Sequence, residues 1–336
     1  MIVPRVDVEE IGAGTGLLLF RIAPHCSRYW ATNFSKSALD LLQRQLRMLE
    51  QALPQVILFH RPADDFTGIE PESFDMIVIN SVIQYFPSIH YLLRVLEGAV
   101  TAVRAGGKIF VGDVRSFPLL QVFHASVQYH HAPASASKAD VRQRVQQRVS
   151  QEQELVVAPA FFTALSRHLP RIGAVELQLK SGRYHNELTR FRYDVVLHVE
   201  PDRAADGEPA WLEWHAGLTL PMMRHALEET RPRAFGIRQV PNAPLVTEMG
   251  ILDWLMGSGG PETVGERRTA LPISQHTDAI DPADLWALGK ELAYTVSIRW
   301  SGDGAPGSYD VLFISGTDEA ATGIAAPPEV VGVFGW

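Results

Sequence analysis

The chain has 336 residues, which at about 150 residues per domain suggests about two domains. Its 30 basic against 38 acidic side chains give a net charge of −8, opposite to the basic surplus of nucleic-acid binders. A single cysteine, Cys26, excludes an internal disulfide and cysteine-rich zinc or iron–sulfur sites; 46% hydrophobic and 20% charged residues fit an ordinary globular protein of a reducing compartment.

No apolar stretch reaches the ~20 residues needed to cross a bilayer. The opening string MIVPRVDVEEIG lacks the charged-then-apolar order of a signal peptide. The expectation is a soluble, cytoplasmic protein. Val6 to Ile11 reads as a strand entering a glycine-rich turn, Glu10-Ile11-Gly12-Ala13-Gly14-Thr15-Gly16. Leu17 to Ala23 is apolar and helical, and Tyr29 to Asn33 predicts a second strand. Ser35 caps a helix whose Ala38, Leu39, Leu42, Leu46 and Leu49 share one face. Val56 to Phe59 predicts a third strand, and Met76 to Ile79 a fourth of the kind buried on both faces. Tyr91 to Val103 predicts a helix stopped at Ala105-Gly106-Gly107, followed by a fifth strand at Ile109 to Gly112. Strands alternating with helices predict parallel βαβ units in a doubly wound α/β sheet.

Strand signals stop over 117–170, which predicts a helical insertion or lid. Lys138 to Leu155 carries Val141, Val145 and Val149 on one face and Arg142, Arg144 and Arg148 on another, suited to solvent or to an acidic partner. Pro159 to His168 predicts a further helix. Strands return at Val175 to Leu179 and Phe191 to Val199. A first domain over 1–200 would end in a polar linker, Pro201 to Pro209. A smaller α+β region over 210–314 would hold helices at Leu218 to Thr230, Ile251 to Met256 and Asp281 to Leu292. Tyr294 to Trp300 and Tyr309 to Ile314 complete it as a hairpin. The Gly-, Ala- and Pro-rich end, 315–336, is expected to be disordered. Met222, Met223, Trp211, Trp214, Trp254, Trp286 and Trp300 are expected in the core. His130 and His131 lack a suitably spaced carboxylate, so no metal is expected.

The glycine turn is the strongest local signal. Glycines let the chain turn sharply and let a ligand approach the peptide groups, and the helix behind offers unpaired N–H groups. The spacing is G-x-G-x-G, not the dinucleotide G-x-G-x-x-G. Glu10 before the turn repels a phosphate and suits a cationic ligand.

This turn resembles that of class I S-adenosylmethionine (SAM) dependent methyltransferases, and the resemblance continues in order. Tyr29 to Ser35 fits the end of their second strand, where an acidic residue holds the ribose hydroxyls; here that position is Asn33. Ala63-Asp64-Asp65-Phe66 fits the adenine loop. Phe74 to Phe86, with Asn80, Ser81, Gln84 and Tyr85, fits the fourth strand and the loop beneath the methionine end. Gly106 to Arg115 fits the glycine turn into the fifth strand. The stretches Asn80 to Val100, Gly106 to Gln128 and Gly182 to Val199 look like the methyltransferase domains embedded in nonribosomal peptide synthetases. Ala210 to Ala243 and Asp281 to Phe313 resemble the C-terminal portion of those domains.

The resemblance implies a Rossmann-like seven-stranded sheet with an antiparallel last strand. It implies SAM as cofactor, with S-adenosylhomocysteine as product, and N-methylation of an α-amine. The implied partner is a carrier protein bearing an aminoacyl thioester, with an adenylation domain as a candidate neighbour and no nucleic acid or membrane. The expected SAM contacts are Glu10, Gly12, Gly14, Gly16, Asn33, Ala63, Asp64, Asn80, Ser81 and Gln84. The helical segment that precedes strand one in that family is absent from this sequence, so one wall of the pocket is expected to be open or borrowed from a neighbouring chain.

An amine attacks a sulfonium methyl in line, and only as the free base. If Val175 to Leu179 runs parallel and Phe191 to Val199 antiparallel, their connection lies on the ligand face of the sheet. His185 paired with Glu187 is then the expected base, with Tyr184 and Asn186 orienting substrate. Tyr85 and Asp113 are the next candidates for the base. Arg115 is expected on the substrate or its pantetheine arm, or in a structural ion pair. Two alternatives stay open: an O- or C-methyltransferase acting on a free small molecule, and a degenerate fold serving as a scaffold.

Overall fold

The computed structural model describes residues 6–49, 52–200, 210–270, 278–301 and 307–315. Seven strands, β1 (Val6–Ile11), β2 (Cys26–Asn33), β3 (Val56–His60), β4 (Phe74–Asn80), β5 (Val103–Arg115), β6 (Ile172–Leu179) and β7 (Arg192–Val199), form one sheet in the order β3-β2-β1-β4-β5-β7-β6. The pairs from β3 across to β5 are parallel, and β7 is antiparallel to both β5 and β6. The chain runs outward from β1 to β3 and then crosses back to β4. That reversal makes a switch point between β1 and β4, where open α/β sheets seat ligands. This is the expected Rossmann-like sheet with one antiparallel strand.

Helices α1 (Leu19–Ile22) and α2 (Lys36–Arg47) pack Leu19, Leu39 and Leu42 on the face bearing Val8, Tyr29, Ala31 and Val78. Helix α3 (Ile89–Ala102) covers the opposite face over Ile77, Ile79 and Ile109. Ser35 and Ser88 cap α2 and α3 by accepting from the N–H groups of Ala38 and Tyr91; each such cap is worth about 1 kcal/mol. The glycines at 106 and 107 do not stop α3. The helix ends at Ala102, Val103 already pairs with Phe74, and the register shifts before Met76 meets Lys108. Gly106, at φ +79°, bends a strand.

The insertion consists of α4 (Leu120–His131), α5 (Lys138–Ser150) and α6 (Pro159–His168); a short helix, α7 (Glu187–Phe191), leads into β7. Beyond it come β8 (Ala210–Glu213), α8 (Leu220–Thr230), β9 (Ala234–Pro241), α9 (Ala243–Met256), α10 (Val264–Thr269), α11 (Pro282–Leu292), β10 (Tyr294–Trp300) and β11 (Ser308–Ser315). Their strands make a second sheet, β10-β11-β9-β8, in which only the β8 pair is parallel. β10 lies against β6, and Ile237, Leu285, Ile298 and Phe313 join the same apolar core as Ile79, Leu177 and Leu179. α4 and α5 bridge to α9 through Tyr129, Val141, Val145, Trp254 and Leu255.

The basic side of α5 divides. Arg142 donates to the carbonyls of Leu255 and Gly257, and Lys138 to those of Gly257 and Gly259. Arg142 thus satisfies a last-turn carbonyl of α9, at the negative end of its dipole, and both side chains hold the turn that follows the helix. Only Arg144 and Arg148 face solvent. Met223 is buried as expected, but Met222 is 52% exposed. Trp254 and Trp300 are buried, and Trp211, Trp214 and Trp286 are half-buried. The expected linker over 201–209 and residues 316–336 of the expected tail lie outside the described residues. Among the described residues, no helix is long and apolar enough to cross a membrane, and no group of three or more His, Cys, Asp or Glu could hold a metal ion.

Candidate functional site

A cleft of about 490 Å³ opens at the carboxyl ends of β1 to β4, a size usual for small-molecule sites. Its wall on β1 is the glycine turn. The N–H groups of Gly12 and Ala13 both donate to the Thr32 carbonyl, at 2.8 and 3.0 Å, which ties the turn to the end of β2. Gly12 and Gly14 line the cleft, at φ +80° and +53°. Gly16 does not line it: a Cβ there would meet Leu42 at 2.4 Å, so this glycine seats the turn on α2.

Glu10 also lies away from the cleft. It is buried beneath the turn on the α1/α2 face, where Tyr29 Oη donates to Oε2 at 2.7 Å, and burial pushes its carboxyl up to about 7. Glu9 points to the other face and holds Arg61 at 2.8 Å. Burial raises Glu9 to about 7 as well, against the pull of Arg61. Arg61 lines the cleft, with its guanidinium 4.8 Å from the Phe59 ring. The sequence reading missed it; the available signal was a cation directly after the third strand.

Thr32, Asn33 and Phe34 form the wall from β2. Asn33 Oδ1 accepts from the Ser35 N–H at 2.8 Å, so its amide NH2 is the group left to meet a hydroxyl. Phe34 stands at the rim, 78% exposed. From the loop after β3, Ala63 lines the cleft, whereas Asp64 is turned to Arg94 at 3.0 Å and pins the loop to α3. Tyr91 of α3, also unforeseen, closes that side.

The segment after β4 supplies Ser81, Val82, Tyr85, Phe86 and Pro87, with Tyr85 73% exposed. Asn80 and Gln84 are not in the wall. Asn80 Nδ2 donates to Ser81 Oγ at 3.2 Å, and Gln84 Nε2 to the Ser81 carbonyl at 3.1 Å. Ser81 Oγ donates to Asp113 Oδ2, and Lys180 Nζ sits 2.8 Å from Asp113 Oδ1. Burial opposes ionisation of Asp113, but Lys180 and Ser81 hold its carboxyl below the usual range. That makes Asp113 a poor proton acceptor, contrary to its expected place as a reserve base. Arg115 forms ion pairs with Glu152 and Glu154, at 3.0 and 2.9 Å, under the ring of Phe123. Against burial, Arg115 and His124 hold the Glu152 carboxyl down to about 2. Of the two roles expected for Arg115, the ion pair is the one it occupies.

The connection from β6 to β7 does not line the cleft, and His185 is not paired with Glu187. His185 Nε2 lies 3.1 Å from Asp281 Oδ2, while Asp281 Oδ1 caps α11 by accepting from the Ala283 N–H. Glu187 pairs with Arg192 at 2.8 Å. Asn186 is spent capping α7, and Tyr184 is exposed while its carbonyl accepts from Thr189 Oγ1. With Arg190 on Glu248 at 2.9 Å, the whole connection is clasped to α9 and α11. Asp281 was foreseen only as the start of a helix.

Comparison with known proteins bears on what this cleft serves. Residues 10–109 match the family described as methyltransferase domain. Chondramide synthase of Chondromyces crocatus is 42% identical over 311 residues, covering 91% of this chain and 8% of that protein. A probable non-canonical nonribosomal peptide synthetase of Salinispora arenicola is 41% identical over 235 residues, covering 69% of this chain and 3% of that protein. The chain thus spans less than a tenth of the length of either relative. A SAM-dependent methyltransferase structure from Methanosarcina mazei aligns at a TM-score of 0.41 and 12% identity, over 58% of this chain and 92% of that one.

Proposed function

The chain belongs to the SAM-dependent methyltransferases, as a domain of the kind carried by nonribosomal peptide synthetases, and from that premise we propose that it N-methylates the α-amine of an aminoacyl group tethered to a carrier protein. The observation that carries this reading is the likeness to a peptide synthetase over 91% of the chain.

The cleft suits SAM. At Gly14 a Cβ would meet no protein atom closer than 3.8 Å, so the room beside the turn is kept for a ligand. Gly12, Gly14, Thr32, Asn33 and Ala63 would hold the adenosyl portion, and Ser81 and Tyr85 would face the methionine end. SAM supplies an electrophilic methyl group on a sulfonium. The amine nitrogen forms the new N–C bond, the C–S bond breaks with its electron pair going to sulfur, and one N–H proton must leave.

His185, outside the cleft wall, is assigned as the acceptor of that proton by way of water. Its Nε2–H, pointed at Asp281, leaves Nδ1 with a free lone pair, the arrangement by which a carboxylate orients an imidazole base. The test is a single-turnover assay with radiolabelled SAM, comparing an aminoacyl-carrier protein with the free amino acid. Label on the carrier, recovered as N-methyl amino acid after thioester hydrolysis, is the expected result. Label on the free acid alone would favour a small-molecule methyltransferase, and no SAM binding at all would favour a scaffold.

A further inference from the structure

Ser81 and Asp113 follow one another across the ends of β4 and β5, and both hold left-handed backbone, at φ +55° and +60°. Neither is glycine, and residues held in such conformations cluster where the surroundings over-determine them for a working role. The device that holds them is a single cation. Lys180 Nζ, just past β6, bridges Asp113 Oδ1 at 2.8 Å and Asp194 Oδ1 at 3.0 Å. The Asp113 N–H donates to the same Asp194 oxygen at 2.9 Å. The Ser81 hydroxyl donates to the second oxygen of Asp113. The side chains of Lys180, Asp113 and Asp194 are no more than 15% exposed. The line begins at Ser81 in the cleft wall and ends between β6 and β7.

The direction of donation decides what Ser81 offers. Its one proton is committed to a carboxylate, and Asn80 Nδ2 occupies one lone pair. What remains is a second lone pair, an acceptor with no proton to give. The Ser81 hydroxyl in the cleft wall therefore asks for an N–H or O–H donor.

We infer that Lys180 is a positioning residue: through Asp113 it fixes the Ser81 hydroxyl as a hydrogen-bond acceptor that selects and orients a primary amine. The inference rests on the reading that the cleft methylates an amine. A primary amine as free base has two protons and one lone pair. It gives one N–H to Ser81 and the other to the water that leads to the base, which leaves the lone pair aimed at the methyl carbon. On transfer, nitrogen gains the methyl, sulfur keeps the C–S pair, the base takes one proton and Ser81 retains its own. An alcohol has one proton and cannot meet both partners. Neither can the secondary amine product, so the reaction stops at one methyl.

The charged groups facing Asp113 are Lys180 past β6 and Asp194 and Arg192 on β7. In Lys180→Met, two carboxyls share the buried site with Arg192 as the cation left. The two then share a proton at higher pH and titrate as a pair, which weakens the hold of Asp113 on Ser81. Aspartate labelled with 13C at its carboxyl should show no Asp113 titration step from about pH 5 to 9 in the wild type, and a step shared by Asp113 and Asp194 in Lys180→Met. Single-turnover methylation in Lys180→Met should fall about tenfold near neutral pH, the worth of one oriented hydrogen bond, and recover as pH rises. The SAM dissociation constant should stay within about twofold. Lys180→Arg should restore most of the rate. Ser81→Ala should lose about as much at every pH, without the new acid limb, and should form some dimethyl product.

If Lys180→Met does not fold, Ser81→Ala decides, since a wild-type rate and a single methyl in that variant overturn the proposal. So does a Lys180→Met pH profile parallel to the wild type, or SAM affinity lost in step with rate. If the wild type labels no amine, the methylation reading fails on its own account, and the carboxyl titration still decides the relay.

Discussion

A Cβ built on Gly14 meets open cleft, whereas one on Gly16 meets Leu42 and Phe20. The two glycines of one turn therefore answer to different demands. Gly14→Val should abolish SAM heat in calorimetry while the circular dichroism spectrum stays near wild type. Its β-branched side chain at φ +53° adds backbone strain that lowers the melting temperature by a few degrees. Gly16→Val should cost more stability, because its side chain collides with α2. If the two variants fall equally in stability and in binding, the division of labour is wrong. Asn33 is the next test at this scale. Its Oδ1 serves the Ser35 N–H, so a ribose hydroxyl meets only a neutral donor. Asn33→Asp keeps the oxygen for Ser35 and adds a charge-assisted acceptor, and should tighten SAM by about three- to tenfold. A change below about twofold would show that the ribose contact is not limiting.

At the scale of elements, the proposed base His185 lies on the connection from β6 to β7, held to α11 through Asp281. His185→Ala should slow single-turnover methylation by roughly 10²–10⁴-fold, the range of a general base, with SAM binding intact and with relief as rising pH deprotonates the amine unaided. Asp281→Asn keeps the cap on α11 and removes the carboxylate that orients the imidazole, so it should slow turnover less, without lowering the melting temperature. Unchanged rates in both would place the base elsewhere. The strands and the glycine turn were legible because β-branched runs and turn residues are local signals, and the resemblance to methyltransferase motifs pointed to Asn33, Ala63, Ser81 and Tyr85, all of which line the cleft. What needed the fold was relational. Glu9 and Glu10 sit on opposite faces by the two-residue period of a strand, but the sequence does not say which face the cleft uses. Arg61 depends on Glu9 of another strand, and His185 depends on Asp281 of another sheet's layer. β9 was missed because Gly236, bedded under the Trp211 ring, and Gln239 at φ +58° break its alternation.

Across the whole molecule, the region expected as a separate unit after residue 209 shares its core with the methyltransferase sheet. Phe313 and Ile298 lie in the same buried cluster as Ile79 and Leu179, and β10 lies against β6. Independent domains would be joined by a more polar surface. A shared core instead couples the two sheets, so calorimetry of the whole chain should show one cooperative transition. Phe313→Ala, far from the cleft, removes a fully buried ring and should cost about 3–5 kcal/mol. Because unfolding is coupled, that loss should lower the single transition and bring with it the melting of the SAM cleft, read by loss of bound ligand at the same temperature. Ile79→Val, in the first sheet, should lower the same transition by a smaller amount, about 0.5–1.5 kcal/mol. The carboxyls of Glu9 and Glu10 add a pH dependence to this transition. Both are raised to about 7 by burial, above the ordinary carboxylate value near 4.5. The folded state therefore binds their protons more tightly than the unfolded one. The stability they contribute is complete below about pH 4.5 and is lost as pH rises through about 7. Glu10→Gln should flatten that decline, so its melting temperature relative to the wild type should be higher at pH 8 than at pH 5. Two transitions, with Phe313→Ala moving one and leaving the ligand-bound one in place, would show that the second sheet folds by itself.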